Sequence, residues 1–285
     1  MALARDEAAA PAGRTVLAIF AHPDDESLAC GGTLARLADD GVRVVLLCAS
    51  HGERGQSADP AVPRGVELGR VRECELREAA KVLGIADVIL LDHPDGEIRW
   101  ANVEQLHGQI LQAIEEYAPE LVITFDEDGL YWHVDHIGVH ERTMTAVKSL
   151  GAAAPPLYYV TMPYGVMRKV TDAAVANGCV PPGSMLFGIT PDAFGIAAEP
   201  HSLTVNVANW VPRKLAALRC HHTQMGPGNP FARLDPEEAR RWLAIEHFRR
   251  EPINSGDTLL DRIGTPVPGG PEEDAATARA AEKGH

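Results

Sequence analysis

The sequence predicts an α/β fold of the Rossmann-like type, a doubly wound and mostly parallel sheet with an inserted variable lobe. Short apolar runs alternate with helical patterns from Val16 to Met162. The runs are continuously apolar, which is typical of parallel strands buried on both faces. Gly41 and Gly84 follow the first two helical patterns, where glycine favours the end of a helix. Strands that alternate with helices in this way form parallel sheets with right-handed crossovers.

The expected strands lie at residues 16–20, 42–49, 87–91, 121–125 and 157–162, and the expected helices between them at 27–40, 68–84, 103–117 and 137–150. Residues 163–200 are rich in glycine and proline and lack a regular period, so we expect them to form the variable lobe over the functional site. A strand at 202–207 and helices at 211–221 and 235–248 are expected to follow. We predict a single domain over 14–255, with disordered tails at 1–13 and 264–285.

Composition narrows the classes of function. The chain has 285 residues, 45% of them hydrophobic, and a net charge of −14. This charge argues against a partner bound through nucleic-acid phosphates. No apolar run reaches the length of about 18 residues that a membrane span needs, and the start of the chain lacks a secretory signal. We therefore expect a cytoplasmic enzyme with a small-molecule substrate. Whether it forms a homo-oligomer stays open.

The five cysteines are widely spaced and include no Cys-x-x-Cys pair. This pattern favours reduced thiols with structural roles. Cys220 precedes His221 directly, which keeps a thiol nucleophile as a minor alternative. Neighbours in sequence are not by themselves a catalytic pair, so we do not favour it.

Two polar clusters follow predicted strands. His22-Pro23-Asp24-Asp25-Glu26 comes directly after the first strand, and His133-Val134-Asp135-His136 follows the fourth. In open α/β sheets the carboxyl ends of the strands carry the ligand site, so both clusters are expected at one edge. Taken alone, the first cluster could simply begin a helix and the second could be a polar loop. Together they favour a metal site with open positions for water and substrate.

The same two clusters resemble the signatures of the LmbE-like, or PIG-L, deacetylase superfamily. Further matches are Gly52-Glu53-Arg54-Gly55, Arg72-Glu73-Cys74-Glu75-Leu76 and the segment from Lys214 to Gln224. The resemblance implies a zinc-dependent hydrolase that removes an N-acyl group, such as acetyl, from an amino-sugar conjugate such as an N-acetylglucosaminide. An amidase acting on a thiol S-conjugate or another N-acyl metabolite is the alternative. A non-catalytic ligand-binding domain is a third, less favoured hypothesis.

Carried over residue by residue, the resemblance implies roles for two groups of side chains. It makes His22, Asp25 and His136 the ligands of Zn²⁺, with Fe²⁺ able to take its place. It makes Asp24 the general base, His133 the acid and oxyanion partner, and Asp135 the residue that orients His133. This division agrees with the chemistry, since one carboxylate can bind the metal while its neighbour takes a proton from water.

Three further assignments have open alternatives. Tyr131 matches a position where some members place an oxyanion-stabilising tyrosine, although a packed aromatic ring is an equal alternative. Arg72 and Asp95 are expected to bind substrate. Arg72 could instead form an ion pair on a helix surface, and Asp95 could simply form the turn before Gly96. Trp132 departs from the family pattern, in which small residues are common, and could narrow the site or stack on a sugar ring.

Overall fold

The computed structural model describes residues 14–100, 102–179, 188–196, 200–254 and 256–267, and these build around one central sheet. The eight strands are β1 Thr15–Phe20, β2 Arg43–Cys48, β3 Asp87–Leu90, β4 Leu121–Phe125, β5 Leu157–Thr161, β6 Leu203–Asn206, β7 Ile245–Arg250 and β8 Gly264–Pro266. Their order across the sheet is β3-β2-β1-β4-β5-β7-β6-β8. The predicted α/β class with a mostly parallel sheet is confirmed.

The first five strands are parallel, and their order reverses at β1. From β1 the chain goes to β2 on one side and, after β3, returns to β4 on the other. Every residue of β1 and β4 is buried, which explains why both segments are apolar except for one threonine each. The loops that leave β1 and β4 are therefore neighbours at the point of reversal, where doubly wound sheets bind ligands.

Nine helices are present in the part of the chain that the structure describes. They are α1 Asp25–Asp39, α2 Val66–Leu83, α3 Val103–Tyr117, the short α4 Gly129–Trp132, α5 Val134–Ser149, α6 Val166–Ala176, α7 Val211–Cys220, α8 Pro236–Leu243 and α9 Leu259–Ile263. Helices α1, α2 and α7 pack together, and α3 packs on α5. The predicted helices of the parallel half are confirmed within a few residues at their ends.

The helix predicted over 235–248 is wrong in its second half. Helix α8 ends at Leu243, and β7 follows. From Ile245 the burial alternates, with Glu246, Phe248 and Arg250 inward, so the segment has the two-residue period of a strand. This strand pairs antiparallel with β5 and β6, a long-range pairing that overrides the local helical pattern.

The variable lobe is more regular than its composition indicates. Helix α6 lies inside it and buries Met167, Val170, Thr171 and Ala174, a spacing of three and four residues. The expectation that 163–200 lacks a regular period is therefore wrong for α6. Residues 180–187 and 197–199 lie outside the described residues.

The expected C-terminal tail begins later than residue 264. Gly264–Pro266 forms β8, which pairs with β6, because α9 returns the chain to the edge of the sheet. The tails at 1–13 and from 268 onward lie outside the described residues, and the limits of the single domain remain a prediction. In the described ranges, no helix combines the length and apolarity needed to cross a bilayer.

Candidate active site

The loop after β1 turns sharply into α1. Asp24 has φ of 119°, a left-handed conformation that is strained for a residue with a side chain. Glu26 stabilises this turn, since its Oε2 accepts from the Asp24 N–H at 3.0 Å. The Asp25 carboxylate accepts from the His22 N–H at 2.7 Å. The strained backbone therefore holds the side chains of two adjacent aspartates in different surroundings.

The loop after β4 is strained as well. Leu130 and Trp132 both have positive φ, so three of the four such non-glycine residues in the described ranges lie in these two loops. Gly129 also has positive φ, and a Cβ there would lie 2.9 Å from Cβ of His136. Only glycine allows this close approach. Clustered strain of this kind is typical of functional sites.

Three buried candidate ligand side chains converge between the two loops. His22 Nδ1 lies 3.4 Å from Asp25 Oδ2, His136 Nε2 lies 3.2 Å from Asp25 Oδ1, and the two imidazole nitrogens are 3.3 Å apart. In a tetrahedral zinc site with bonds of about 2.0–2.2 Å, neighbouring ligand atoms are roughly 3.3–3.6 Å apart. The spacing of the donor atoms on these side chains therefore fits one small cation.

The hydrogen bonds at the far side of each ring fix which nitrogen faces the centre with a lone pair. His136 Nδ1 lies 3.1 Å from the Gly129 carbonyl, which can only accept, so Nδ1 carries the proton. His22 Nε2 lies 3.1 Å from carboxylate oxygens of both Asp95 and Asp135, so Nε2 carries the proton there. In the neutral rings, His22 Nδ1 and His136 Nε2 then present lone pairs to each other beside a carboxylate. Two oriented imidazoles beside a carboxylate are a set of donors that could hold a divalent metal.

The charges around the cluster are strongly coupled. Burial acts to lower the pKa of His22, but the carboxylates of Asp135, Asp25 and Asp95 outweigh it and raise this pKa well above its usual value. Burial acts to raise the pKa of Asp25, but His136 and His22 outweigh it and lower this pKa well below the usual range. The site therefore favours an anionic Asp25 that faces positive charge.

His133 does not have the partner that the resemblance implies. The Asp135 carboxylate contacts His22, and it accepts from the N–H groups of Gly96 at 2.6 Å and Ile98 at 2.9 Å. His133 Nδ1 instead accepts from the backbone N–H of Asp135 at 3.3 Å. Burial, with His136 and His22, lowers the pKa of His133 to about 3. These contacts do not support the expectation that Asp135 orients His133 as the acid, because the Asp135 carboxylate binds His22 and the turn at Gly96 instead.

His133 is nevertheless close to the metal cluster. One nitrogen from each of His22, His133 and His136 lies within 4.8 Å of the others, so a three-histidine ligand set is a geometric alternative. In the neutral ring the lone pair of His133 Nδ1 receives the Asp135 N–H, which leaves Nε2–H as a donor. This arrangement makes His133 a hydrogen-bond donor more readily than a ligand.

Arg72 is buried against the first loop and does not lie on a helix surface. Its guanidinium donates to the carbonyls of Gly52 at 2.9 Å and Pro23 at 2.5 Å, and to Asp24 Oδ2 at 3.2 Å. Burial raises the pKa of Asp24 to about 6, although Arg72 acts in the opposite direction. Arg72 thus holds Asp24 in place. Whether it also binds substrate remains a prediction.

Asp95 is buried between the first loop and the turn at Gly96. Its Oδ2 accepts from the Arg54 N–H at 2.8 Å, and its Oδ1 lies 3.1 Å from His22 Nε2. Burial would raise the pKa of Asp95, but His22 outweighs it and this pKa falls well below its usual range. Asp95 therefore contacts a candidate ligand, and its expected role in substrate binding stays untested.

The cluster opens into a cavity of about 390 Å³. Asp24, Asp25, His22, His133, Tyr131, Arg72 and Asp95 line it. The Tyr131 ring lies 5.2 Å from that of His136 and 4.6 Å from that of Phe194. Burial, with Asp25 and Asp24, raises the pKa of Tyr131 well above its usual value, so the phenol keeps its proton. Tyr131 is both packed against aromatic rings and exposed to the cavity.

Sequence reasoning missed His221 and Glu26 as site residues. His221 lines the cavity, its Nε2 lies 3.0 Å from Glu26 Oε1, and its buried Nδ1 has no hydrogen-bond partner among the described residues. Glu26 in turn holds the Asp24 backbone. The segment around His221 matched the family, but no local pattern shows that it reaches the loop after β1. Neighbouring Cys220 points elsewhere, since its Sγ donates to the Ala216 carbonyl, so no thiol–histidine pair is seen.

Comparison with known proteins identifies the family of this chain. The family model of the PIG-L proteins, described as GlcNAc-PI de-N-acetylase, matches residues 17–147. A 1D-myo-inositol 2-acetamido-2-deoxy-alpha-D-glucopyranoside deacetylase from Nakamurella multipartita is 32% identical over 285 residues, covering 90% of this chain and 92% of that protein. The chain belongs to the PIG-L family. Its members are metal-dependent deacetylases, which hydrolyse amide bonds, and the expected enzyme class is confirmed.

Solved structures share the fold at lower identity. The N,N'-diacetylchitobiose deacetylase from Pyrococcus horikoshii aligns with a TM-score of 0.56 and 20% identity, over 85% of each chain. A 4-carboxy-2-hydroxymuconate hydratase, GalB from Pseudomonas putida KT2440, aligns with a TM-score of 0.60 and 19% identity, over 86% of this chain and 99% of that one. Since a hydratase shares this fold, the fold alone does not decide the reaction, which depends on the residues of the site.

Proposed function

We propose that this PIG-L family hydrolase is a zinc-dependent N-deacetylase that removes an acetyl group from an amino-sugar conjugate of the N-acetylglucosaminide type. The observation that carries the proposal is the convergence of His22 Nδ1, His136 Nε2 and the Asp25 carboxylate beside a cavity that His22, Asp25 and a second carboxylate, Asp24, line. The named activity of the 32% identical relative supports the substrate class.

His22, Asp25 and His136 are the residues that would hold zinc. A bound Zn²⁺ supplies a water of lowered pKa and polarises the amide carbonyl. Nitrogen and carboxylate ligands suit zinc, and ferrous iron accepts a similar set, so the identity of the metal is part of the proposal. Asp135 and Asp95 orient His22 through its Nε2, and the Gly129 carbonyl orients His136.

Asp24 moves the proton. Its carboxylate lines the cavity without an imidazole partner, and Arg72 fixes its orientation. It accepts the proton of the attacking water as the hydroxyl oxygen bonds to the carbonyl carbon. When the carbon–nitrogen bond breaks, the same proton goes to the nitrogen, and the products are a free amine and acetic acid, which ionises to acetate in solution. One carboxylate therefore serves in turn as base and acid.

His133 and Tyr131 stabilise the developing negative charge. The Nε2–H of a neutral His133 and the O–H of Tyr131 are donors on cavity-lining residues that keep their protons. We place them at the carbonyl oxygen, where fixed donors are worth more than water in a dehydrated site. His133 then acts as oxyanion partner, and the acid role passes to Asp24.

The test is acetate release from an N-acetylglucosaminide by the metal-free protein and by the same protein reloaded with Zn²⁺. We expect release only from the reloaded protein, with loss of release but not of zinc in Asp24→Asn. His133→Ala should also keep zinc. Equal release without metal, or zinc lost in His133→Ala as fully as in His136→Ala, would contradict the assigned site.

A further inference from the structure

The cavity has two chemically different parts. The part beside the candidate metal ligands is polar and contains the residues proposed to act in the reaction. The remaining wall is built mainly of apolar side chains, here called the apolar wall, which are Leu28, Ile189, Phe194, Leu218, Met225 and Phe231. Beyond the reacting amide, the described wall therefore gives a bound molecule mostly carbon and sulfur to contact.

The apolar wall is continuous with the reacting groups. Leu28 lies one helical turn after Asp24, and its N–H donates to the Asp24 carbonyl at 3.0 Å. The Phe194 ring packs on Tyr131 with ring centroids 4.6 Å apart. Leu218 lies one turn before His221, which contacts Glu26. An occupant of the apolar wall would therefore lie next to the reacting amide.

Two of the three amide side chains that line the cavity, Gln224 and Asn229, are bound by the protein itself. Gln224 Nε2 donates to the Gln56 carbonyl at 3.0 Å and to Thr223 Oγ1 at 3.2 Å. Asn229 Nδ2 donates to the Gln224 carbonyl at 3.0 Å, and its Oδ1 accepts from the Phe231 N–H at 2.9 Å. Because these groups already have protein partners, the two amides have fewer hydrogen-bond donors and acceptors left for the hydroxyl groups of a ligand.

Exposed apolar side chains also lie on the chain segments next to Tyr131. The Gly195 N–H donates to the Leu130 carbonyl at 3.0 Å, and a Cβ on Gly195 would overlap the Met162 carbonyl. This contact joins three chain segments, and each carries one large exposed apolar side chain. These are Trp132, Tyr164 and Ile196, which are 55%, 62% and 60% exposed. Exposed aromatic rings in such a group are typical of binding surfaces.

We propose that the substrate carries an aryl or alkyl group beside the amino-sugar amide, and that the apolar wall binds this group. A polyhydroxylated group placed there would lose hydrogen bonds to water that the wall does not replace. An apolar group loses nothing of that kind and gains from burial. The inference rests on the proposed deacetylase function, and it separates this chain from relatives named for an inositol glycoside.

The test compares glycosides of N-acetylglucosamine that differ only in the second group. We would measure kcat/KM for the methyl, phenyl and myo-inosityl glycosides, and for the methyl glycoside with N-hexanoyl in place of N-acetyl. The phenyl and hexanoyl arms distinguish an apolar aglycone from an apolar acyl chain. Since one methylene in an apolar pocket is worth about tenfold or more, at least one arm should exceed the methyl N-acetyl reference by more than about tenfold. An inosityl glycoside equal to or better than both would overturn the inference.

A binding measurement separates this inference from the proposed function. Calorimetry of the phenyl and methyl glycosides of glucosamine, the expected products, and of their N-acetyl forms needs no turnover. A phenyl preference without any hydrolysis would refute the deacetylase and leave the apolar wall. Hydrolysis with no apolar preference in either rate or binding would support the deacetylase and refute the role of the apolar wall.

Two matched variants locate the preference. Met225→Gln places an amide in the apolar wall at a partly exposed position, and it should reduce the apolar preference at least about threefold. Val175→Gln makes the same kind of change on the outer side of α6, away from the cavity-lining residues, and should leave the preference unchanged. Equal effects of the two variants would contradict the assignment.

Discussion

Asp135 gives the sharpest test of the site, because the structure and the family resemblance assign it different partners. In the structure its carboxylate receives His22 Nε2–H at 3.1 Å and the N–H groups of Gly96 and Ile98 at 2.6 and 2.9 Å. Asp135→Asn keeps the size but removes the charge and one acceptor. If the amide oxygen of the new side chain stays toward His22, the Ile98 N–H faces the NH₂ group of the amide. In the other orientation, the His22 Nε2–H and the Gly96 N–H face that NH₂ group.

Either orientation has a cost that can be estimated. One buried N–H without an acceptor lowers the free energy of unfolding by about 1–3 kcal/mol. Loss of one of the two anions behind His22 lowers the zinc affinity by about 10- to 100-fold, the usual effect of removing a hydrogen-bond partner of a ligating histidine. Competition with a chromophoric chelator measures this affinity without any turnover.

The controls decide between the two partners. Asp92→Asn removes an equivalent carboxylate–histidine contact, with His51 at 3.1 Å on the exposed surface, and should leave zinc affinity unchanged. His133→Gln should also leave it nearly unchanged. Wild-type zinc affinity in Asp135→Asn, together with the same loss of rate as His133→Gln, would refute our reading and restore Asp135 as the partner of His133.

Three further predictions concern the base and the stability of the fold. Asp24→Asn should lower the rate of acetate release by about 100- to 10,000-fold with zinc content unchanged, and near-wild-type turnover would remove Asp24 from its role. Glu246→Gln should lower the free energy of unfolding by about 3–5 kcal/mol in urea titrations, because buried Lys214 loses the carboxylate that lies 2.6 Å from its Nζ. The double variant Glu246→Gln with Lys214→Met should recover part of this loss. No recovery would contradict the pairing of these two residues. Burial, with His201 and Lys214, lowers the pKa of His247 from 6.5 to about 4. Between these pH values the unfolded chain binds the proton more readily than the folded one, so the free energy of unfolding should fall by up to about 3 kcal/mol as the pH drops from 6.5 to about 4. Urea titrations across this pH range should show that His247→Gln lacks this part of the fall.

The parallel half of the fold was accessible from sequence because its signals are local. Apolar runs such as Val16–Phe20 are buried on both faces of the sheet, and Gly84 ends its helix in the left-handed conformation that the pattern predicts. The segment from Ile245 was not accessible, since its strand depends on pairing with β5, which lies far away in the chain. Helix α6 was hidden by the glycines and prolines around it.

The candidate site, like the fold, has features that the sequence predicted and features that it did not. Strand ends bring His22, Asp25 and His136 together, and the position of the motifs after β1 and β4 predicted this neighbourhood. The orientation of individual side chains was not predictable. Nothing in the segment around Asp135 shows that its carboxylate turns to the Gly96 turn, and nothing around His221 shows that it reaches Glu26. Such contacts depend on the packing of loops that only the tertiary structure brings together.

The most direct test of the account is the zinc content of the purified protein, measured by elemental analysis alongside His22→Ala, His136→Ala and His133→Ala. We expect about one zinc ion per wild-type chain, nearly the same in His133→Ala, and little or none in the other two variants, since each removes one of only three protein ligands. Acetate release should follow zinc content in His22→Ala and His136→Ala. Undiminished zinc in both of these variants would contradict the metal site on which the whole account rests.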